Sequence, residues 1–354
     1  MIIRILLGKD MGPTAQVDIV LVQHLLNFWS SRGVEMDPVW PLLGIDIGDP
    51  LPRWVNSERV ADAHRYAFQF LNDDLIGIDL GQYVARRDLP MARLLRYADT
   101  LRTGLTDFVP YFYLMTGSVC LELQVTDVRS VISIERKTSH TMSQLQQSAA
   151  LACIAEACRI ALGKRYEEDD LLLCIPKEFM CYQRAIEQRM KINVTGASGF
   201  GLEISGSAWQ RLNLEQQPIL YASVLRDLRR QDEKFKDHLA IYNELRDILQ
   251  MCLLKRHVSQ DDVADQLGIS VRNLQRRLKA LGTTYQNLLD EGRQALAMKV
   301  IREGDMPLYE VAYLVGYTEP SAFYKAFKRW TGSTPGDYRQ AYQERLSAVS
   351  NGAE

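Results

Sequence analysis

Residues 263–279 (VADQLGISVRNLQRRLK) and 311–328 (VAYLVGYTEPSAFYKAFK) carry one pattern twice, which constrains this part of the chain to one short supersecondary unit built in duplicate. Both copies open Val-Ala and place a Gly four residues after the Ala (Ala264/Gly268, Ala312/Gly316). A small hydroxyl residue follows (Ser270, Thr318), then two large apolar residues four apart (Leu274/Leu278, Phe323/Phe327) and a Lys (Lys279, Lys328). The second copy has one extra residue between the Gly and the first large apolar position. Ala lets two helices cross closely, and Gly supplies a left-handed turn. Ser or Thr caps the next helix. The i, i+4 apolar pair turns inward, leaving the opposite face of the second helix free to enter a groove. The pattern predicts a helix-turn-helix, built twice.

The charge placement agrees with that reading although the net charge is only −2. Arg272, Arg276, Arg277 and Lys279 share one helical stretch without an acid, and Lys325, Lys328 and Arg329 form a second cluster. Both clusters fall on the second helix of a copy. Binding is therefore expected to depend on placed contacts more than on a broad basic field.

At 354 residues with 47% hydrophobic content, the chain is expected to hold two or three domains with real cores. No apolar run approaches the ~18–20 residues that span a bilayer, so no membrane partner is expected. The opening MIIRILLGKD is too short and too soon charged for a signal peptide, which gives the expectation of a cytoplasmic, bacterial protein. The six cysteines (Cys120, Cys153, Cys158, Cys174, Cys181, Cys252) form no CxxC and no zinc spacing with His, and are read as reduced packing thiols. No nucleophile, carboxylate pair, metal set or cofactor site emerges. Gly196, Gly199 and Gly201 match no phosphate-loop spacing and are read as a turn.

Residues 1–213 alternate between patterns. Helices are expected over 15–33, from Asn56, from Asp99 with a kink at Pro110, over 143–162 and at CYQRAIEQR. The Pro/Gly-rich stretch from Pro38 to Pro52, with Gly48 and Pro50, reads as irregular. Residues 119–127 and 130–137 read as a hairpin around Asp127–Arg129, 170–176 as a buried strand, and INVTGASGFGLEIS as two short strands. This predicts an α+β domain. Residues 214–237 are expected to form a linker, with Ile219, Leu220, Val224 and Leu225 on a candidate dimerisation helix and the domain boundary within 232–238. Residues 284–302 are expected to form a buried rigid connector through Leu288, Leu289, Ala295, Ala297, Val300 and Ile301.

Residues 240–342 resemble the DNA-binding domain of the AraC/XylS family of bacterial transcription regulators. The resemblance rests on ADQLGISVRNLQRRL, on Arg293, and on GYTEPSAFYKAFKRWTGSTPGDYR, with Phe323, Phe327, Lys328, Gly332, Pro335 and Tyr338. The stretch LNDDLIGIDLGQYV and the pattern after it resemble an AraC-type effector domain. The resemblance implies an α+β effector and dimerisation domain (1–213), the linker (214–237), and an all-α domain (238–345) with two helix-turn-helix units joined by a long helix. It further implies a sequence-specific, effector-controlled activator that recruits RNA polymerase at a double-stranded promoter site, acting as a homodimer. The effector would be a fatty acid or other hydrophobic carboxylate, or an amino acid, with aromatic candidates Trp29, Tyr111, Phe112 and Tyr113 around it. In the first unit the groove face becomes Arg272, Gln275 and Arg276, flanked by Arg277 and Lys279. Arg276 has the shape to grip guanine and Gln275 to read adenine. In the second it becomes Pro320, Ser321, Tyr324, Lys325 and Lys328, a face better suited to affinity than to specificity, with Trp330 and Tyr338 expected in the core. Pro307 replaces the usual Ser or Thr cap, and Gly292 is expected to soften the connector. A constitutive regulator with a dimerisation-only first domain fits as well. A DNA-modifying enzyme carrying this module fits poorly, for want of a zinc-held cysteine set.

Overall fold

The computed structural model describes residues 3–6, 16–46, 51–116, 120–126, 128–135, 143–254, 259–281, 283–304, 306–331 and 333–351. The expected hairpin tip Asp127, the strand ends at 119 and 136–137, the loop positions Gly48 and Pro50, and Gly332 lie outside these residues. The chain divides into two compact units, Met1–Lys236 and Asp237–Glu354.

The first unit begins with β1 (Ile3–Leu6) and β2 (Gln16–Asp18), followed at once by α1 (Ile19–Ser31), then α2 (Val39–Leu43). Next come β3 (Trp54–Asn56), α3 (Ser57–Leu71), α4 (Ile76–Ala85), α5 (Pro90–Tyr97) and α6 (Leu101–Phe108). Pro110 marks the expected break: a 3-10 turn, Val109–Tyr111, separates α6 from α7 (Tyr113–Thr116). The hairpin forms as β4 (Cys120–Val125) and β5 (Arg129–Glu135), followed by α8 (Gln144–Leu162), β6 (Leu171–Pro176), α9 (Gln183–Met190), β7 (Asn193–Ala197), β8 (Gly201–Ser205) and α10 (Gly206–Gln210).

The main sheet has the order β1-β4-β5-β8-β6-β7, antiparallel except that β6 and β7 run parallel. Thus β7 and β8, adjacent in sequence, do not pair with each other; they flank β6. Alternate residues Leu121, Leu123, Ile132, Leu171, Leu173, Leu202 and Ile204 are buried, as a strand's period of two requires. The second sheet is the pair β2–β3 in the register Gln16↔Asn56, Val17↔Val55, Asp18↔Trp54. Each of these strands feeds a helix whose first turn it caps: the Asp18 carboxylate accepts from the Val20 N–H, and the Asn56 side chain accepts from the Glu58 and Arg59 N–H groups. Because the register is antiparallel, α1 and α3 leave this short ribbon from opposite ends, α1 after Asp18 and α3 after Asn56.

Helix α8 is capped by a reciprocal Ser143–Gln146 box and contacts α4 and α5 as well as β6 and β8. Its approach to α4 is unusually close. A Cβ at Gly81 would lie 2.4 Å from the Ala149 carbonyl oxygen and 2.7 Å from the Ala152 Cβ. One at Gly77 would lie 2.4 Å from the Leu145 carbonyl oxygen. These glycines belong to the stretch LNDDLIGIDLGQYV, so helix contact accounts for that part of the resemblance. Farther along α8, the fully buried Glu156 carboxylate accepts from Arg86 and Arg159, whose guanidinium groups reach solvent. Burial pushes the Glu156 pKa up, but the two arginines outweigh it and hold the group below its ordinary value.

Helix α11 runs Pro218–Leu254 and supplies side chains to the core of each unit. In the first unit Val224, Leu228 and Phe235 are buried, and Phe235 packs edge-on against Trp54 and Tyr113. Tyr113 donates to Asp232 and Tyr221 to Asp107.

Gly81→Ala is expected to cost ~2–3 kcal/mol or more, because the new methyl meets backbone that cannot move aside. Gly199→Ala, with open space around it and no left-handed backbone, is expected to stay within ~0.5 kcal/mol. Equilibrium denaturation of the two variants compares them directly. Equal losses would remove the close-crossing account.

Candidate nucleic-acid interface

The second unit contains the end of α11, then α12 (Gln260–Gln266), α13 (Val271–Ala280), α14 (Tyr285–Glu303), α15 (Leu308–Leu314), α16 (Pro320–Thr331) and α17 (Pro335–Asn351). The duplicated sequence folds as two helix pairs, α12–α13 and α15–α16. Their turns share one hydrogen-bond pattern 48 residues apart. Ile269 N–H donates to Ala264 C=O and Tyr317 N–H to Ala312 C=O, each at 3.0 Å. Gly268 N–H donates to Asp265 C=O at 3.0 Å and Gly316 N–H to Tyr313 C=O at 3.1 Å. Both glycines are left-handed, at φ +63° and +84°. In the first pair Ser270 caps α13, accepting from the Asn273 N–H. In the second, the extra residue enters the turn, and Thr318 stands two positions ahead of Pro320, where α16 begins. The expectation that Thr318 occupies the cap position is corrected accordingly.

Each pair closes its own core. Leu274 and Leu278 are buried with Leu245, Leu249, Leu253, Val263, Leu288 and Leu289. Phe323 and Phe327 are buried with Ala297, Ile301, Val311, Ala312 and Val315. Helix α14 contributes its first half to one core and its second half to the other. Of the six connector residues named from sequence, Leu288, Leu289, Ala297 and Ile301 are buried and Ala295 and Val300 half-buried. Trp330 and Tyr338 pack against the second core, as expected. Pro307, with ψ 136°, precedes α15 without a side-chain cap.

Gly292 also faces α11 closely. A Cβ there would lie 2.7 Å from Leu249 Cδ2 and 3.2 Å from Leu253 Cδ1, so its bareness lets α11 and α14 meet. One turn-binding contact was not anticipated: Arg293 donates to the Gly316 carbonyl at 3.1 Å and lies 4.8 Å from the Tyr317 ring centroid. It fastens α14 to the turn of the second pair.

On α13, Arg272, Gln275, Arg276 and Lys279 follow the i, i+3, i+4, i+7 spacing of one helix face, and all are exposed, as is Arg277. Gln275 donates to the Gln260 side-chain oxygen at 2.9 Å. On α16, Ser321, Tyr324, Lys325 and Lys328 are exposed and Pro320 is half-buried. Arg329 turns toward Asp290 of α14, at 3.5 Å. Arg272, Arg276, Arg277, Lys279, Lys325 and Lys328 form no ion pair among the described residues. Six cations without counter-charges among the described residues suit a surface that receives phosphates.

In the first unit, a cavity of about 160 Å³ lies between α1, α3, α4, α8 and the α7 region. Of the aromatic candidates, Phe112 lines it; Trp29 is core packing and Tyr113 is held by Asp232. Cys153, at its wall, and Cys158 have thiols pushed up to about 12 by burial, which suits packing and not nucleophilic attack. No helix among the described residues is long and apolar enough to cross a membrane.

Two glycine turns, two inward apolar pairs and two outward basic faces define a helix-turn-helix DNA-binding domain. Residues 263–341 match the family model described as "Helix-turn-helix domain". The ornithine utilization regulator of Pseudomonas aeruginosa is 46% identical over 81 residues, 23% of this chain and 24% of its own length. The HTH-type transcriptional activator RhaS of Salmonella arizonae is 29% identical over 173 residues, 47% of this chain and 58% of its own length. The crystal structure of transcriptional regulator CdpR from P. aeruginosa aligns over 88% of this chain and 98% of that one, at 21% identity and a TM-score of 0.36. The chain thus spans about a quarter of the first of these relatives. Its C-terminal domain is thus similar to the helix-turn-helix domains of these transcription regulators.

Arg293→Ala is expected to cost ~1–3 kcal/mol, the worth of a charged hydrogen bond and a cation–π contact. Arg293→Lys should recover little, lacking the planar fork. Urea denaturation of both variants tests this. A fully stable Arg293→Ala would show that the turn holds without it.

Proposed function

We propose that this protein is a sequence-specific transcription regulator that binds a double-stranded promoter site through two helix-turn-helix units. The observation that carries the reading is the paired geometry: the same turn twice, each followed by a helix with a basic outer face. Helix α14, 19 residues long, spans ~28 Å at 1.5 Å per residue. That approaches the ~34 Å between successive major-groove faces on one side of B-DNA. Helix α13 reads bases, through Arg276 and, once it releases Gln260, Gln275. Helix α16 adds phosphate contacts through Lys325 and Lys328, with Ser321 and Tyr324 beside them.

In this reading the first unit is an effector domain and its cavity receives a small molecule. The protein acts as an activator that recruits RNA polymerase; the name of the activator RhaS, similar over 47% of the chain, supports this. A homodimer forms over the apolar patch at the start of α11, where Ile219 is 85% exposed and Leu214 78%. Val224, one of the dimer-helix candidates, is buried and belongs to the core instead.

Selection of genomic fragments by the purified protein tests the reading: an enriched asymmetric motif of about 20 base pairs, two successive groove faces long, supports two reading units. Arg276→Ala should cost ~1–3 kcal/mol in affinity and relax one base position. An unchanged motif would remove the base contact. Lys328→Ala should weaken all sites alike and flatten the salt slope by about one unit. A loss confined to one sequence would make Lys328 a base reader.

A further inference from the structure

The first unit's cavity has a definite chemistry. Its volume of about 160 Å³ is close to that of a dry protein cavity of ~150 Å³ that accepts benzene. The apolar group it seats is therefore about six carbons in size. Most of the wall is aliphatic, from Val17 on β2 and Leu21 and Leu25 on α1 to Leu80 and Val84 on α4. Among the described lining residues none is Lys or Arg; the ionisable ones are Glu58, His64 and Cys153. A carboxylate entering this space would lose its hydration without meeting a described cation, a cost of several kcal/mol.

His64 defines the polar end. Its Nδ1 lies 2.9 Å from the Val60 carbonyl oxygen. A carbonyl only accepts, so Nδ1 carries the hydrogen and Nε2 a lone pair. The ring is held edge-on between Trp29 and Phe68, at centroid distances of 5.0 and 5.4 Å. Burial lowers its pKa to about 4, so the imidazole is neutral at physiological pH. No donor among the described residues bonds Nε2. A largely aliphatic cavity of this size, with Ser57, Glu58, Thr116 and Gln146 also in its lining and a fixed neutral acceptor at His64, suits an apolar ligand with one donor.

We propose that this cavity binds a small uncharged apolar molecule bearing one hydroxyl, a phenol or cyclic alcohol, whose O–H donates to His64 Nε2. Its regulatory meaning rests on the effector-domain reading above; the binding itself does not.

The test is thermal unfolding of the full chain at pH 7, titrated with four probes of similar size: phenol, benzene, benzoate and cyclohexylamine. Phenol is expected to raise Tm with concentration. Benzene should bind about five-fold more weakly, the value of one net hydrogen bond. Benzoate should give no shift, and cyclohexylamine, whose ammonium meets one carboxylate in the lining, Glu58, should bind more weakly than phenol. His64→Phe keeps a ring between Trp29 and Phe68 and should abolish the preference for phenol over benzene. Ala150→Phe fills the space and should abolish both shifts. The four-probe ranking needs no variant, so it stands even if Ala150→Phe fails to fold. Benzoate or cyclohexylamine binding as tightly as phenol, a phenol preference that survives His64→Phe, or no shift with any probe would overturn the proposal. Measuring DNA affinity with and without phenol separates the two readings: binding without an effect on DNA affinity would remove the regulatory meaning and leave the site.

Discussion

The first unit depends on how closely α4 can approach α8. With backbone carbonyls 2.4 Å from where a methyl would stand at Gly77 and Gly81, no side chain fits on that face of α4. The close crossing buries Glu156 on α8, and Arg86 and Arg159 offset the cost of that burial. It also shapes the cavity. Gly81 on α4 and Ala149, Ala150 and Cys153 on α8 form part of its wall, so small side chains chosen for helix contact leave space toward α1 and α3. One constraint thus accounts for a tight interface, a buried ion cluster and a hollow beside them.

The second unit solves a related problem. Two helix pairs, each too small to bury a core alone, share α14, which has apolar residues for both. Gly292 brings α11 onto α14 through Leu249 and Leu253, and one helical position later Arg293 reaches the Gly316 carbonyl. Adjacent residues of the connector therefore secure both cores. The glycine expected to loosen the helix also sits where a larger residue would require Leu249 and Leu253 to shift.

Local signals were legible in the sequence and long-range ones were not. The turn glycines, the Ser270 cap, the inward Leu274/Leu278 and Phe323/Phe327 pairs, the Pro110 break and the β4–β5 hairpin each depend on neighbours within a few residues, and each could be read from them. The outward placement of Arg272, Gln275 and Arg276 follows from the same 3.6-residue period. By contrast, the parallel pairing of β6 with β7 and the β2–β3 register join segments whose partner no local pattern specifies. The hold of Arg293 on Gly316 spans 23 residues and left no signal beyond a family likeness. The cavity is the hardest to foresee, because it is defined by atoms that are absent. The signal available was the run of small residues in QQSAALACIAEAC facing GIDLG, and it becomes interpretable only once α4 and α8 are known to touch.

The sparse charge of the reading faces also has a physical consequence. With a net charge of −2, the chain as a whole offers DNA no strong long-range attraction. In the proposed complex, attraction would come from the six cations on α13 and α16 that form no ion pair among the described residues, each effective only within roughly a Debye length, about 8 Å at physiological salt. Arg329, similar in type and position, is turned toward Asp290 and is partly neutralised by it. Four of the six lie on α13, where two arginines flank a glutamine able to discriminate bases; the two on α16 are lysines, point charges suited to phosphate. The duplicated backbone therefore carries two unequal surfaces. In the function proposed above, this inequality calls for an asymmetric target, with one half-site read and the other mainly held.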